Sequence, residues 1–209
     1  MKNEIHIIRV ENNETESIKR ILENISEKKI IYIKNKSDET KEILEPINID
    51  GPAIILNSSG SSGKPRKCIH DLENLNSSAK ASGIWLKKQG FNLQDCLIIN
   101  TLPLNHISGL MPVFRSKIWS CDYMNISPKL IKKTKDLLFL TNELKTNKQH
   151  LITSLVPIQL KRLLSEKDGV NWLKIFDLIW VGGASINSEI TQKCRIETIN
   201  LAPCYGSTE

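Results

Sequence analysis

Aromatic residues are scarce, at 5% of 209, and several other absences narrow what this chain can be. Its apolar runs are only a few residues long, too short to span a bilayer. Met1-Lys2-Asn3-Glu4 opens no apolar stretch of signal-peptide type. The cysteines Cys68, Cys96, Cys121, Cys194 and Cys204 are odd in number and form no C-x-x-C pair, so neither a zinc site nor a disulfide framework is indicated. Scattered thiols suit a reducing compartment, and a cytosolic protein is expected. No basic stretch is interleaved with aromatics, and there is no Cys/His finger or RNP-like run, which argues against a nucleic-acid partner. No repeat of fixed period appears.

What is present is a basic, ordinary globular composition. The net charge is +6, but residues 1–50 hold nine Lys/Arg against eleven Asp/Glu, a balance of −2 that leaves +8 on the rest. A basic main body suits a polyanionic nucleotide or an acidic substrate. The length allows one domain, or one domain with a small lobe.

Periodicity divides the chain into alternating short strands and helices. Ile5–Val10 and Ile30–Ile33 read as strands around a helix carrying Ile18, Ile21, Leu22 and Ile25, followed by a charged helical segment from Asp38 to Glu45. Pro46 and Gly51-Pro52 mark a boundary, giving a short lobe (1–51) and a core (52–209). Within the core, a helix is expected from Asp71, its cap, to about Gln89, where Gly90 stops it. Strands follow at Cys96–Asn100, Tyr123–Ile126, His150–Thr153, Leu178–Val181 and Thr198–Leu201, with helices at 107–119, 157–164 and from about Asn187. Lys129, Lys132, Lys133, Lys135, Lys145 and Lys148 read as the wet face of a surface helix. Short apolar strands alternating with helices imply an α/β fold with mostly parallel sheets covered by helices. In such sheets ligands bind beyond the carboxyl ends of the strands.

The most informative segment is Ser58-Ser59-Gly60-Ser61-Ser62-Gly63-Lys64-Pro65, with Asn57 before it and Arg66 after. Four serines, two glycines and a lysine cannot bury themselves. Their backbone N–H groups, hydroxyls and ammonium can converge on phosphate oxygens. A Walker P-loop is excluded, because two residues rather than four separate the glycines and Pro65 stands where that motif has Ser or Thr. The segment resembles the phosphate loop of adenylate-forming enzymes, the superfamily of acyl-CoA synthetases, luciferases and peptide-synthetase adenylation domains. Only Arg66 replaces the usual lysine.

Three further segments fall in the same family order. Tyr205-Gly206-Ser207-Thr208-Glu209 resembles the Tyr-Gly-x-Thr-Glu motif, which offers an aromatic plate for a purine, a hydroxyl for a phosphate and a carboxylate for Mg²⁺. Gly182-Gly183-Ala184 resembles the adenine-side loop. Leu102-Pro103-Leu104-Asn105-His106 with Ser108-Gly109-Leu110 resembles the Pro-Leu-x-His-x-x-Gly-Leu segment, in which the histidine lines the acid site. His6, His70 and His150 are read as structural. Ser154 and Pro157, within Thr153-Ser154-Leu155-Val156-Pro157, resemble a wall of the acyl pocket in o-succinylbenzoate–CoA ligases of the short cyanobacterial or plastid type, with Ile158 replacing the usual threonine.

The resemblance implies a two-step reaction of menaquinone or phylloquinone synthesis using ATP, Mg²⁺ and CoA. A carboxylate attacks the α-phosphorus, pyrophosphate leaves, and the CoA thiol then displaces AMP. The first step needs positioning and charge neutralisation rather than a protein nucleophile. Lys64, Thr208, Mg²⁺ on Glu209, and His106 are the implied groups, each donor contributing about 2–4 kcal/mol if it behaves as an oxyanion-hole donor does. Family members continue into a ribose-binding Thr-Gly-Asp motif and a C-terminal domain with a catalytic lysine. The chain is therefore expected to be an incomplete N-terminal portion with little adenylating activity of its own. The alternative expectation is a catalytically incompetent nucleotide-binding module that works through a partner.

Overall fold

Apolar runs of four to six residues are too short for helices and long enough for strands, and they sort into two sheets. The computed structural model describes residues 4–11, 15–38, 49, 51–58, 66–142, 144, 150–206 and 208. The first sheet has the order β1 (Ile5–Val10), β2 (Ile30–Asn35), β3 (Ala53–Asn57), β4 (Lys67–Asp71). Its first two pairings are parallel, and β3–β4 is an antiparallel hairpin. The second sheet has the order β6 (Asp122–Asn125), β5 (Cys96–Asn100), β7 (His150–Leu155), β8 (Leu178–Val181), β9 (Leu201–Pro203), parallel throughout.

Seven helices are described: α1 (Thr15–Ser26), α2 (Leu72–Lys88), α3 (Ile107–Trp119), α4 (Thr134–Thr141), α5 (Pro157–Leu164), α6 (Lys167–Leu173) and α7 (Ser188–Ile196). Their placement follows from the two-residue period of the strands. Cys96 and Ile98 of β5 pack with Leu86 of α2 and Trp119 of α3, whereas Leu97 and Ile99 pack with Leu137, Leu160, Trp172 and Cys194 of α4 to α7. The opposite side of the α2–α3 pair meets the first sheet, where Ile8, Ile31, Ile33, Ile54 and Leu56 pack with Leu75, Ala79, Leu110 and Phe114. The result is sheet, helix pair, sheet, helix layer. Burying one such Leu, Ile or Phe contributes about 1.5–3 kcal/mol, so the layers stabilise one another.

Strands on either side of Gly51 belong to one sheet, since β2 pairs with β3 at Ile31↔Ile54 and Tyr32↔Ile55. Asp71 takes the N-cap position of α2 with extended backbone, yet its side chain makes no capping bond. Asn187 does cap α7, its Oδ1 accepting the Ile190 N–H at 2.9 Å. The last strand is displaced from the expected 198–201 to Leu201–Pro203. Thr198 is left-handed (φ 56°) and the Ile199 N–H donates to the Cys194 carbonyl at 2.8 Å, so these residues close α7 before the strand begins. Helix α6 had no clear sequence signal because Gly169 weakens its helical propensity; burial of Trp172 and Leu173 holds it. Lys129, Lys132, Lys133 and Lys135 are exposed on a 3₁₀ turn and α4, while Lys145, Lys148 and most of the charged 38–45 segment lie outside the described residues. Among the described residues no helix is long and apolar enough to cross a membrane.

Candidate active site

Parallel strands bring the ends of distant segments into one line. Asn100 of β5, Ser154 of β7, Trp180 of β8 and Ala202 of β9 are successive partners in the ladder. Three inter-strand steps of about 4.8 Å put these four positions within roughly 14 Å of one another. Everything that follows them in the chain therefore leaves from the same carboxyl edge, namely the His106 segment, Val156-Pro157, Gly182-Gly183-Ala184 and Cys204-Tyr205-Gly206.

The Ser/Gly segment lies in the chain between the antiparallel strands β3 and β4. Ladder pairing runs up to Asn57↔Lys67. Beyond it the Ser58 N–H donates to the Arg66 carbonyl at 2.7 Å, and the Arg66 N–H donates to Ser58 Oγ at 3.3 Å. These bonds close the loop's neck and bury Ser58. One residue earlier, the buried Tyr32 hydroxyl donates to Asn57 Oδ1 at 2.8 Å. Ser59, Gly60, Ser61, Ser62, Gly63 and Lys64 lie outside the described residues, as does Glu209. Thr208 is described and half-buried, and its backbone lies near the imidazole of His70 on β4. Tyr205 is fully exposed, and Gly206 has open space around it.

His106 stands at the N-cap of α3, half-buried, and burial lowers its pKa below the usual histidine value. Its carbonyl accepts the Gly109 and Leu110 N–H groups at 3.0 Å each, and its own N–H donates to the Pro103 carbonyl at 3.1 Å. The turn depends on Gly109, because a Cβ there would lie 2.1 Å from the Pro103 oxygen and 2.6 Å from that of Leu102.

Asn100 holds this turn from below, a role that motif reading did not find. Completely buried, it donates from Nδ2 to the Gly109 carbonyl at 3.0 Å and to Tyr123 Oη at 2.9 Å, and its Oδ1 accepts the Leu102 N–H at 3.1 Å. Tyr123 Oη in turn donates to Asn125 Oδ1 at 3.1 Å. An asparagine closing the apolar run Cys-Leu-Ile-Ile was the available clue. Beside it, Thr153 Oγ1 donates to the Ile99 carbonyl at 2.7 Å.

On the far side of the row, Ser154 is half-buried at the end of β7, and Pro157 begins α5, where the Val156 N–H donates to Gln159 Oε1 at 3.0 Å. The Gly182 N–H donates to the Leu155 carbonyl at 3.2 Å, and Gly183 is left-handed (φ 87°), a conformation that favours glycine. Gly183 and Ala184 are exposed.

Arg115 of α3 was not legible in any motif. Its guanidinium lies over the Trp180 ring, 4.3 Å from the centroid, and its Nε is buried with no hydrogen-bond partner among the described residues. Burial pushes its pKa down to about 10, with the neighbouring Cys204 acting the other way. A buried cation without a matched anion is costly in the empty protein and well suited to a bound carboxylate.

The α/β core, with its parallel five-stranded sheet, has the fold of the N-terminal domain of adenylate-forming enzymes. The chain belongs to the AMP-binding enzyme family, whose model matches residues 2–209. Among curated relatives it is similar to a 2-succinylbenzoate–CoA ligase of Geobacillus sp. (strain WCH70), 27% identical over 172 residues covering 82% of this chain and 33% of that one. The fold is also that of the Bacillus subtilis O-succinylbenzoate coenzyme A synthetase in complex with AMP, with a TM-score of 0.67, 20% identity, and 99% of this chain and 49% of that chain covered. The same enzyme in complex with ATP and magnesium ion gives a TM-score of 0.59, 21% identity, and coverage of 91% and 42%. The chain spans about a third of the length of the curated relatives it matches.

Proposed function

We propose that this chain forms the nucleotide- and acid-binding part of an ATP-dependent acid–CoA ligase acting on o-succinylbenzoate or a closely similar dicarboxylate. Its curated relatives are ligases of that acid, and the B. subtilis structures hold AMP, ATP with magnesium ion, and the acyl-adenylate OSB-AMP. The observation that carries the substrate class is Arg115. A dicarboxylate leaves one carboxylate free when the other reacts, and that group needs a cation on the protein. Arg115, its Nε buried and unpartnered among the described residues and its guanidinium over Trp180, supplies one.

In this reading the Ser58–Lys64 loop receives the phosphates, and Gly182, Gly183, Ala184, Tyr205 and Gly206 receive the base. Ser154, Pro157 and His106 border the acid. With its pKa lowered, His106 is neutral near pH 7 and can donate one hydrogen bond to the reacting carboxylate without cancelling its negative charge. That carboxylate attacks the α-phosphorus and the bond to pyrophosphate breaks. CoA sulfur then attacks the acyl carbon and AMP leaves. Among the described residues no group of three His, Cys, Asp or Glu side chains could hold a metal. Magnesium would rest on Glu209 and the nucleotide's own oxygens, neutralising phosphate charge when bound. Residues 1–51 act as a supporting lobe for the 52–209 core. The five free cysteines suit a cytoplasmic setting.

A thermal-shift panel tests the reading. ATP with Mg²⁺ and o-succinylbenzoate should each raise the melting temperature, and a monocarboxylate of similar size should not. Loss of discrimination between the two acids would remove the substrate assignment. Absence of any ATP shift would remove the nucleotide assignment. Pyrophosphate exchange driven by the acid separates a catalytic chain from one that only binds.

A further inference from the structure

We infer that the outward side of α4, with the 3₁₀ turn before it, docks on an anionic lipid surface. Phe139 and Leu140 enter the headgroup region, and Lys129, Lys132, Lys133 and Lys135 meet the lipid phosphates. The helix pattern explains how these residues come to face outwards. Leu137 and Thr141 are buried, and Leu138 packs at the margin of the core beneath the second sheet. At about 100° per residue, the next two positions swing to the far side. Phe139 is 86% exposed there and Leu140 47%. Lys135 lies one turn before Phe139 on the same side. This helix belongs to the outer layer, on the opposite face of the second sheet from α2 and α3.

Solvation accounts for the lysines but not for the two apolar side chains between them and water. A lone exposed aliphatic residue is ordinary. Here two large ones adjoin, and Phe139 is the most exposed large apolar residue on any described helix. The charge around them is mostly of one sign. Residues 128–142 hold four lysines and one acid, Asp136, which leaves +3. None of the four lysines is ion-paired among the described residues. Glu166, at the start of the neighbouring α6, is engaged by the buried Thr134 hydroxyl at 2.5 Å. Apolar tips that enter below the headgroups, with long cationic chains around them, are what an acidic bilayer interface binds. A nucleic-acid strand would use the lysines and the ring but leave Leu140 idle.

The test is co-sedimentation of the 209-residue chain with vesicles of phosphatidylcholine alone or mixed equally with phosphatidylglycerol. A single-stranded oligonucleotide is the competing polyanion. Wild type should bind the mixed vesicles and ignore phosphatidylcholine alone. It should be released as salt shortens the electrostatic range from about 10 Å at 0.1 M to about 3 Å at 1 M. At roughly fivefold per lysine, K132A/K133A should bind about 25-fold more weakly. F139D/L140D should lose vesicle binding with its melting temperature unchanged, because both side chains already face water. I84D changes a 58% exposed residue within one turn of Lys80, Lys87 and Lys88 on α2, and should bind as wild type does. Four results would overturn the inference: no wild-type binding to mixed vesicles, equal binding to phosphatidylcholine alone, undiminished binding by F139D/L140D, or an equal loss in I84D. Undiminished binding by K132A/K133A would overturn it as well, whatever the aspartates do to folding. Preference for the oligonucleotide over the mixed vesicles would assign the surface to nucleic acid instead.

Discussion

Replacing Arg115 with methionine should make the empty protein more stable and the acid-binding site useless. Burial lowers the guanidinium pKa to about 10, more than two decades below the ordinary value. At about 1.4 kcal/mol per decade this disfavours the charged form by on the order of 3 kcal/mol. Stacking on Trp180 at 4.3 Å returns about 2 kcal/mol, the upper range for a desolvated cation over an indole. Methionine fills much of the same volume, lies well against an aromatic ring and carries no charge. The net expectation for Arg115→Met is a gain of about 1 kcal/mol, or a melting temperature higher by about 2–4 °C in a chain of this size. Differential scanning calorimetry of the ligand-free chain measures it. With o-succinylbenzoate added, the wild type should gain stability and the variant should not. A variant that melts no higher than wild type, or that keeps its acid-induced shift, would refute the idea that this cation awaits an anion.

Three other outcomes follow from the same geometry. Gly109→Ala drives a Cβ to 2.1 Å from the Pro103 oxygen and should destabilise by about 2–4 kcal/mol in a denaturant titration, since backbone rather than a flexible side chain must move. Asn100→Leu strands the Leu102 N–H and the Gly109 carbonyl in the core and should cost about 2–5 kcal/mol by the same measurement, with weaker acid binding because the His106 turn loosens. For pH, both His70 and His106 have folded values lowered chiefly by burial. The unfolded chain therefore binds more protons than the folded one just below the unfolded histidine value of about 6.5. Stability should be constant above that pH and fall on acidification until the lowered folded values are passed. His106→Gln should flatten part of that fall in melting curves recorded between about pH 7 and 5.

Local chemistry was readable where a segment carries its own instruction. Asn187 caps α7, and the apolar runs at β1, β2, β5 and β8 became strands within a residue or two of their sequence limits. Ser58 to Pro65, Gly182-Gly183-Ala184 and Tyr205 to Glu209 stand out because they hold small and hydroxylated residues in consecutive positions, the pattern proposed above to approach phosphate and base. Strand β9 slipped to 201–203 because the closure of α7, set by the left-handed Thr198, used the residues that periodicity had given to the strand.

Arg115 and Asn100 could not be found that way. Each is a single polar residue inside an ordinary pattern, and each matters because of what lies across space. Arg115 meets Trp180, and Asn100 meets Gly109 and Tyr123. The primary structure alone determined the α/β class and the family, since those depend on short-range composition and spacing. Only the tertiary structure decided that β2 joins β3, that four strand ends stand in one row, and which buried polar groups are left needing a partner. Burial and pairing between residues far apart in the chain are properties of the folded packing, and no local window contains them.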